Sequence, residues 1–470
     1  MPSPSPALTA HPVPDEPSVR GLFPVLLFIG TVVAVLSSLG APLVPTIAEV
    51  HDVSLAAAQW SLTITLLVGA VATPSLGRLG DGPRRKTVVL TVLAVVLVGS
   101  LLAALPLGFA ALLAGRALQG LGLGLTPLVI AVARDHLPAD RAPGAVAALS
   151  ITTVAGVGFG YPLTGLLTDA FGLHAGFWFG AAISACALAL AARVVPSSRT
   201  TTAARFDLLG AVLLGVALGG LLLALSESAE WGAASARLWA VLVVSLVLLA
   251  GWVRHELRTA TPLVDVRLLR HRSVLTAAVT GLLAGVGMYL LLSLVTRFVQ
   301  TPAENGYGFG SSVVVAGLVL LPFSLTSVLA SRVAPLIARW STRAVLPVGC
   351  ALFLAACATF GLAHDSLWQL FVVMGVAGLG VGCTFAALPG LILSAVPATE
   401  TGSAMGFNQV LRMTGFSAGS ALSAAVLELH TPAGQVLPTE DGYVAAALVG
   451  VVVWLVAGVL SAVLPDRRPA

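Results

Sequence analysis

The chain has 470 residues, of which 57% are hydrophobic and only 9% are Asp, Glu, Lys or Arg, and its mean hydropathy is +1.00. A soluble globular protein carries about a quarter charged residues, so this composition excludes a soluble enzyme and predicts a chain surrounded mostly by lipid. The net charge of +4 is spread over short loops instead of forming one basic face, which argues against a nucleic-acid partner.

Apolar runs long enough to cross a bilayer recur along the chain. A helix that spans about 30 Å of hydrocarbon needs about 20 apolar residues. We therefore predict an all-α membrane protein with fourteen spanning helices. They lie at about 21–43, 56–77, 87–106, 109–133, 144–168, 174–195, 207–226, 236–253, 273–296, 310–331, 343–363, 366–394, 402–427 and 442–464.

Positive charge is distributed unequally between the two sides of these spans. If the N-terminus is cytoplasmic, 20 of the 24 Lys and Arg residues fall in cytoplasmic segments. Only Arg237 and Arg297 fall outside, and Arg116 and Arg412 lie within spans. Because cytoplasmic loops are rich in Lys and Arg, the sequence predicts that both termini are cytoplasmic.

The turn between the second and third spans holds one carboxylate, Asp81, among four basic residues, in the run GRLGDGPRRK at 77–86. An ordinary basic loop is one interpretation. Glycine at the helix exit, Asp four residues later and then a basic run form a more specific pattern. It resembles the loop 2–3 motif of the major facilitator superfamily, G-x-x-x-D-[RK]-x-G-[RK]-[RK].

Four residues carry that resemblance, and two depart from it. Gly77, Asp81, Arg85 and Lys86 match, whereas Gly82 replaces a basic residue and Arg84 a glycine. The resemblance implies a cytoplasmic latch, in which the Asp and the Arg form charge-assisted contacts with neighbouring helix ends.

Arg116, Gln119 and Gly120 share one face of the fourth predicted span. An arginine within an apolar helix is costly and usually faces a cavity or a partner helix, so interhelical hydrogen bonding without a ligand role is one interpretation. The pattern R-x-x-Q-G-x-G resembles the span 4 motif of the drug:proton antiporters of the same superfamily. That resemblance implies a part in proton coupling for Arg116.

Pro162 and Gly165 predict a bend in the fifth span, because proline removes a backbone hydrogen bond. They match part of the antiporter motif G-x-x-x-G-P-x-x-G-G, but Val157, Tyr161 and Leu166 occupy its other glycine positions. A bent, glycine-rich packing helix is the alternative interpretation.

Asn408 and Arg412 lie one helical turn apart in the thirteenth span and can point into one cavity. They are similar to the N-x-x-x-R-x-x-G stretch of the same family. A place in the transport pathway and interhelical hydrogen bonding are both open.

The first span lacks the acidic residue that fourteen-span drug exporters typically carry. Pro45, Thr46 and Ile47 match their L-D-x-T-x-x-N-x-A-L-P-T-I motif, but Leu36 stands at the Asp position. Of the 20 acidic residues none lies near the middle of a span; those nearest are Asp169, Asp207 and Glu428. Either an edge carboxylate or Asp81 with Arg116 couples protons, or the transporter is not proton-coupled.

The resemblance implies a 6 + 2 + 6 arrangement, because two extra helices separate the halves in the fourteen-span branch. We predict that a disordered cytoplasmic tail at 1–20 and a cytoplasmic tail at 465–470 flank the spans. Between them we predict a six-helix bundle at 21–195, two linker helices with a connector at 196–272, and a second bundle at 273–464. The connector segment 254–272 is either an amphipathic element on the membrane surface or a solvated loop.

These patterns predict a transporter of the cell membrane that exports amphipathic or neutral organic compounds, such as drugs or secondary metabolites, by alternating access. An importer or uncoupled facilitator is the alternative. The eight histidines are scattered without metal-ligand spacing, so we expect no enzyme, metal or cofactor, and the proton gradient as the candidate energy source. We expect the protein to act as a monomer, with the bilayer and a small organic substrate as its partners.

Overall fold

The computed structural model describes residues 21–39, 43–53, 55–198, 206–227, 231–232, 235–397, 400–432 and 437–463. The tails predicted at 1–20 and 465–470 lie outside these residues. Within them the chain is helical from the first predicted span to the last, and no strand occurs among the residues described.

The helices follow one another with short connections. In chain order the α-helices are α1 Leu22–Ser38, α2 Val44–His51, α3 Leu55–Gly80, α4 Arg85–Ala104, α5 Phe109–Gly120, α6 Leu125–His136, α7 Ala142–Phe171, α8 Leu173–Val194, α9 Leu208–Ser226, α10 Ala236–Glu256, α11 Arg272–Gln300, α12 Val313–Val319, α13 Leu321–Trp340, α14 Val345–Leu362, α15 Leu367–Leu393, α16 Thr401–Leu429 and α17 Glu440–Val463. Short 3-10 helices cover Leu121–Gly124, Val266–Arg270, Ala303–Asn305 and Thr342–Ala344.

Each predicted span coincides with one of these helices or with two consecutive ones. Twelve of them are long and apolar enough to cross a bilayer, counting only the described residues. The other two predicted spans correspond to α1, with 17 residues, and to α7, whose described apolar segment is Ala142–Thr152. A total of fourteen spans and the cytoplasmic position of the termini therefore stay predictions.

Local sequence explains where several helices begin and break. The fourth predicted span is divided, because the glycine-rich stretch Leu121–Gly124 forms a 3-10 helix between α5 and α6. Gly172, with a φ of +82°, separates α7 from α8. The side chain of Asp207 accepts a hydrogen bond from the Gly210 amide at 2.8 Å and caps the start of α9.

The long helices pack in two groups joined by a linker pair. Helices α1 and α3–α8 pack on one another, as do α11 and α13–α17. The linker helices α9 and α10 pack together, and α9 also contacts α3 and α16. Only 17% of the most apolar stretch of α10 is buried inside the protein, as expected of a helix that faces lipid. The bundle boundaries at 195 and 272 stay predictions.

The connector after α10 packs against protein. Leu263 and Val264 are buried beside Trp252 of α10 and Val410 of α16, and the segment Val266–Arg270 forms a 3-10 helix. A freely solvated loop is therefore wrong for this part of the connector, because its apolar side chains find a protein surface to cover.

The two helix groups approach each other closely near the start of α16. Gly77 of α3 lies against Gly402, and Thr73 and Pro74 lie beside Gly406. Ile151 of α7 packs with Ala330 of α13. We call the end of the bundle that carries Asp81 and the start of α16 the latch end; its closure positions the charged residues described next.

Candidate functional site

Asp81 of the loop after α3 binds the start of α16 in the other helix group. Its Oδ1 accepts a hydrogen bond from the Gly402 amide at 2.6 Å, and its Oδ2 accepts one from the Ser403 amide at 2.9 Å. The first amides of a helix have no partner within it, and the N-terminal end of the helix dipole favours an anion. Glu400, at the N-cap position, makes no side-chain cap, so Asp81 caps α16 from another part of the chain.

The Asp81 carboxyl is 1% exposed, and burial raises its pKa from 3.8 to about 6. The hydrogen bonds from Ser403 and Gly402 and the charge of Arg85 oppose this rise without cancelling it. The pKa of Asp81 therefore lies close to physiological pH.

Two of the cations at the latch end, Arg85 and Arg134, make several polar contacts. The Arg85 guanidinium forms an ion pair with Asp135 and donates from Nε to the Gly80 carbonyl at 2.5 Å. Arg134 reaches the other helix group, where it donates to Thr401 Oγ1 at 2.6 Å and to the carbonyls of Val396 at 3.0 Å and Leu393 at 3.2 Å. A cation at the end of α15 is favoured, because the last carbonyls of that helix have no partner within it.

Of the four latch residues predicted from the sequence, three lie at the contact between the helix groups or directly behind it. Gly77 and Asp81 touch α16, and Arg85 is buried behind Asp81. Lys86 is half-exposed in the first turn of α4. The sequence did not predict a latch role for Arg134 and Asp135, because charged residues are ordinary at the cytoplasmic end of a span.

Replacing Gly77 by Ala should force α3 away from α16. A β-carbon at Gly77 would lie 2.5 Å from the Gly402 carbonyl oxygen and 2.9 Å from its carbon, and a backbone group cannot move aside. Overpacking of this kind costs about 1–3 kcal/mol, so we expect Gly77→Ala to lower the Tm of the purified protein by several degrees. Gly390→Ala on α15 meets open space and is the control; equal Tm values for the two variants would contradict the close contact.

Acid should favour the closed latch end. In the closed state the pKa of Asp81 is about 6, whereas in an open, hydrated latch it takes the ordinary value of 3.8. The closed state therefore binds the proton more tightly, so it gains stability as the pH falls through 6 and loses it as the pH rises through 6.

Spin labels at Arg84→Cys and Arg339→Cys, both exposed, measure this change by the distance between them in a chain whose four native cysteines are replaced. The short-distance population should grow between pH 7.5 and pH 5 and should lose this dependence when Asp81 is Asn. A distribution that changes equally in that variant would assign the titration to another group.

Arg116 is the centre of a buried hydrogen-bond network at the fourth predicted span, and it is 0% exposed. Its Nη1 donates to the Leu36 carbonyl at 3.0 Å and to Gln119 Oε1 at 2.7 Å, and its Nε donates to the Ser61 carbonyl at 2.9 Å. Gln119 in turn donates to Ser100 Oγ at 3.0 Å. The network joins α1, α3, α4 and α5, so Arg116 holds four helices of one group together.

Glycine allows these helices to approach. Gly120 lies against the backbone of Thr65, whose hydroxyl donates to the Arg116 carbonyl at 3.0 Å. The predicted shared face thus meets several helices: Gly120 lies against α3, Arg116 reaches α1 and α3, and Gln119 reaches α4. Spacing alone could not identify these neighbours.

Asn408 and Arg412 both face α11, where their helix packs beside Gly281 and Gly285. Asn408 donates to the Ala277 carbonyl at 3.4 Å. The Arg412 guanidinium lies 4.1 Å from the centre of the Phe385 ring of α15. Arg412 and Arg116 lie in different helix groups, and within the described part of the chain no hydrogen bond joins their networks.

Pro162 lies inside the continuous helix α7. Gly165 belongs to the same helix, but its contacts are not among those that the structure describes. The close approach of α7 to α1 occurs at other glycines: Gly156 and Gly160 lie against Ala34 and Ser38. Ser38 Oγ also donates to the Gly156 carbonyl at 3.1 Å. Gly156 and Gly160, which lie outside the glycine positions of the antiporter motif, therefore pack against α1.

No group of three or more His, Cys, Asp or Glu side chains that could hold a metal ion occurs within the described ranges. Cys350, Cys357 and Cys383 are buried and free, and Cys186 is exposed and free.

Known proteins similar to this chain are transporters. A sequence model described as Major Facilitator Superfamily matches residues 26–420 and 302–470. The "Multidrug resistance protein Stp" of Mycobacterium tuberculosis (strain ATCC 25618 / H37Rv) is 30% identical over 379 residues, which cover 78% of this chain and 68% of that protein. The "Tetracenomycin C resistance and export protein" of Streptomyces glaucescens is 28% identical over 449 residues, covering 91% of this chain and 81% of that protein.

A solved structure has the same fold. The human organic anion transporter MFSD10 (TETRAN) matches with a TM-score of 0.66 and 18% identity, and the match covers 95% of this chain and 100% of that chain. At this identity the similarity shows the fold alone.

Proposed function

The chain belongs to the major facilitator superfamily, and we propose that it exports amphipathic or neutral organic compounds from the cell by alternating access. The observation that carries the proposal is the pair of hydrogen bonds from the Gly402 and Ser403 amides to Asp81. They join the two helix groups at one end of the bundle by a contact that a change of state can break and remake. Such a contact is the requirement for a gate.

The chemistry of the spans favours an amphipathic or neutral organic substrate. Apart from serines and threonines, the spans bury few polar side chains, among them Arg116, Gln119, Asn408 and Arg412. A site formed between such helices would offer apolar surface and a few polar contacts that fix orientation, unlike a sugar site or a metal site. The names of the relatives from M. tuberculosis and S. glaucescens, which concern multidrug resistance and the export of tetracenomycin C, support the same class.

In this proposal the predicted site residues divide into three roles. Asp81 and Arg85, with Gly77 and Lys86, form the cytoplasmic latch. The transport pathway and coupling residues are Arg116, Gln119, Gly120, Asn408 and Arg412, and Pro162 and Gly165 bend the fifth span. The protein acts as a monomer in the cell membrane, without a cofactor.

Transport into inverted membrane vesicles tests the proposal and its energy source. Vesicles that contain the protein should accumulate an amphipathic dye above control vesicles. Accumulation that requires an imposed pH gradient, and stops when the gradient is dissipated, would support proton coupling. Accumulation that does not depend on the gradient would exclude proton coupling. Vesicles that take up no amphipathic compound above background would contradict export.

A facilitator or importer of a metabolite is the second candidate, and Leu36 favours it. At the position of the usual coupling carboxylate this residue offers only its backbone carbonyl, which accepts a hydrogen bond from Arg116. A deletion strain distinguishes the candidates, since loss of an exporter raises the cellular level of its cargo and loss of an importer lowers it.

A further inference from the structure

Arg412 is a buried cation whose hydrogen-bonding capacity is largely unused. Its side chain is 3% exposed, and its Nε and Nη2 have no hydrogen-bond partner. The Phe385 ring, 4.1 Å away, covers one face of the guanidinium but leaves its N–H edge free. A buried guanidinium normally finds a carboxylate or several carbonyls, so this position lacks the partner that its chemistry requires.

Arg116 shows what a satisfied buried arginine looks like in the same chain. Three neutral oxygens accept its hydrogen bonds, and only Nη2 is unpaired. Within the described ranges neither Arg116 nor Arg412 forms an ion pair with a carboxylate. These two buried arginines therefore lack a counter-charge within the described residues, and Arg412 has the larger unpaired donor set, Nε and Nη2 against Nη2 alone in Arg116.

The groups around Arg412 extend this donor set. The Gln409 amide nitrogen is also buried without a partner, one turn away on α16. Gly281 of α11 packs on the same side of α16, where a β-carbon would lie 3.2 Å from Asn408 Nδ2 and 3.6 Å from Arg412 Cγ. Unpaired N–H donors next to an aromatic ring are complementary to an acidic group attached to an apolar body.

We propose that the cargo is an amphipathic organic anion whose carboxylate or sulfonate pairs with Arg412 while its apolar body lies against Phe385. The inference rests on the proposed export function and narrows its substrate class. The anion supplies the missing counter-charge during transport, and the fork of the guanidinium binds two oxygens of the acid at once.

An anionic cargo also accounts for the distribution of acidic residues. On the long helices that the structure describes, every acidic residue lies within three residues of a helix end. These are Asp135, Asp169, Glu256, Glu428, Glu440 and Asp441. A membrane potential of 100 mV, negative inside, favours a monoanion on the outside by about 50-fold, so export of an anion needs no proton carrier within the spans.

Two bicyclic aromatic probes of opposite fixed charge test the proposal in proteoliposomes with an imposed potassium diffusion potential. Naphthalene-2-sulfonate should move to the positive side, with an initial rate at least tenfold above protein-free liposomes, and N-methylquinolinium should not. Arg412→Gln should abolish the movement of the sulfonate. Arg412→Lys, which keeps the charge but loses the fork, should retain part of it. Arg237→Gln removes an exposed arginine that also stacks on an aromatic ring, Trp231, and should transport normally.

Binding of the sulfonate to the purified protein, measured by its effect on the Tm, distinguishes loss of the binding site from misfolding. The sulfonate should raise the Tm of the wild-type protein and leave that of Arg412→Gln unchanged. Movement of the quinolinium but not of the sulfonate would overturn the substrate class while leaving export intact. Movement of neither probe by protein that folds and reconstitutes would count against both the substrate class and the proposed export function.

Discussion

Arg116→Ala should reduce transport to less than a tenth of the wild-type rate while the protein still reaches the membrane. The change removes the arginine donor from the carbonyls of Leu36 and Ser61 and from Gln119 Oε1. The Ser61 carbonyl keeps the Thr65 hydroxyl and Gln119 keeps its bond to Ser100, but Gln119 Oε1 loses its donor inside the buried network. Each unsatisfied buried acceptor costs about 1–3 kcal/mol. The four helices that meet at Arg116 therefore lose the contact that fixes their relative positions.

Transport normalised to the amount of protein in the membrane is the measurement that separates function from folding. Arg116→Lys keeps a positive charge, but its single ammonium group cannot donate to all three acceptors of the arginine, so we expect partial activity. Arg237→Ala, at an exposed position, is the matched control. Wild-type transport by Arg116→Ala would assign this arginine to packing alone.

The spans were predictable from sequence because burial in lipid leaves a strong one-dimensional signal. Among the described residues, twelve of the fourteen predicted spans meet the length and hydropathy that a bilayer requires. Arg116 and Gln119, which their i, i+3 spacing places on one face, are joined by a hydrogen bond. Both features depend on residues close in sequence, and helix geometry converts such spacing into contacts.

The partners of the site residues were not predictable, because they lie far away along the chain. Asp81 and Gly402 are separated by 321 residues, and nothing in the local sequence of either points to the other. Ser100 is one hydroxyl among many in apolar helices until the fold places it beside Gln119. Arg134 likewise reads as a charge at the end of a span, although it binds the end of α15.

The latch end combines two complementary uses of helix electrostatics. Asp81 binds the amide end of α16, and Arg134 binds the carbonyl end of α15, so each charge from one helix group meets the helix terminus of opposite polarity in the other. The segment between α15 and α16 is thus held from both sides. Separation of the two groups must break both contacts together, which favours two discrete states over a continuum.

Asp81→Asn should open the latch end and lower transport at least tenfold at neutral pH. The substitution keeps the size of the side chain but replaces one acceptor oxygen by an NH₂ group, which faces a backbone amide and cannot accept its hydrogen bond. A protonated Asp81 differs from Asn, because both of its oxygens keep lone pairs that can accept, so Asn does not reproduce the closed state that acid favours. A buried amide left without an acceptor costs about 1–3 kcal/mol, which shifts the balance of closed and open states by about tenfold.

Asp140→Asn is the matched control, because Asp140 is a carboxylate near the same end of the bundle whose side chain is 77% exposed and 3.9 Å from Arg141. Exposed ion pairs contribute little, so this variant should transport normally. The spin-label distance between positions 84 and 339 should lengthen in Asp81→Asn and not in Asp140→Asn. If Asp81→Asn lost transport without any change in that distance, Asp81 would act in a step other than closure of the latch end.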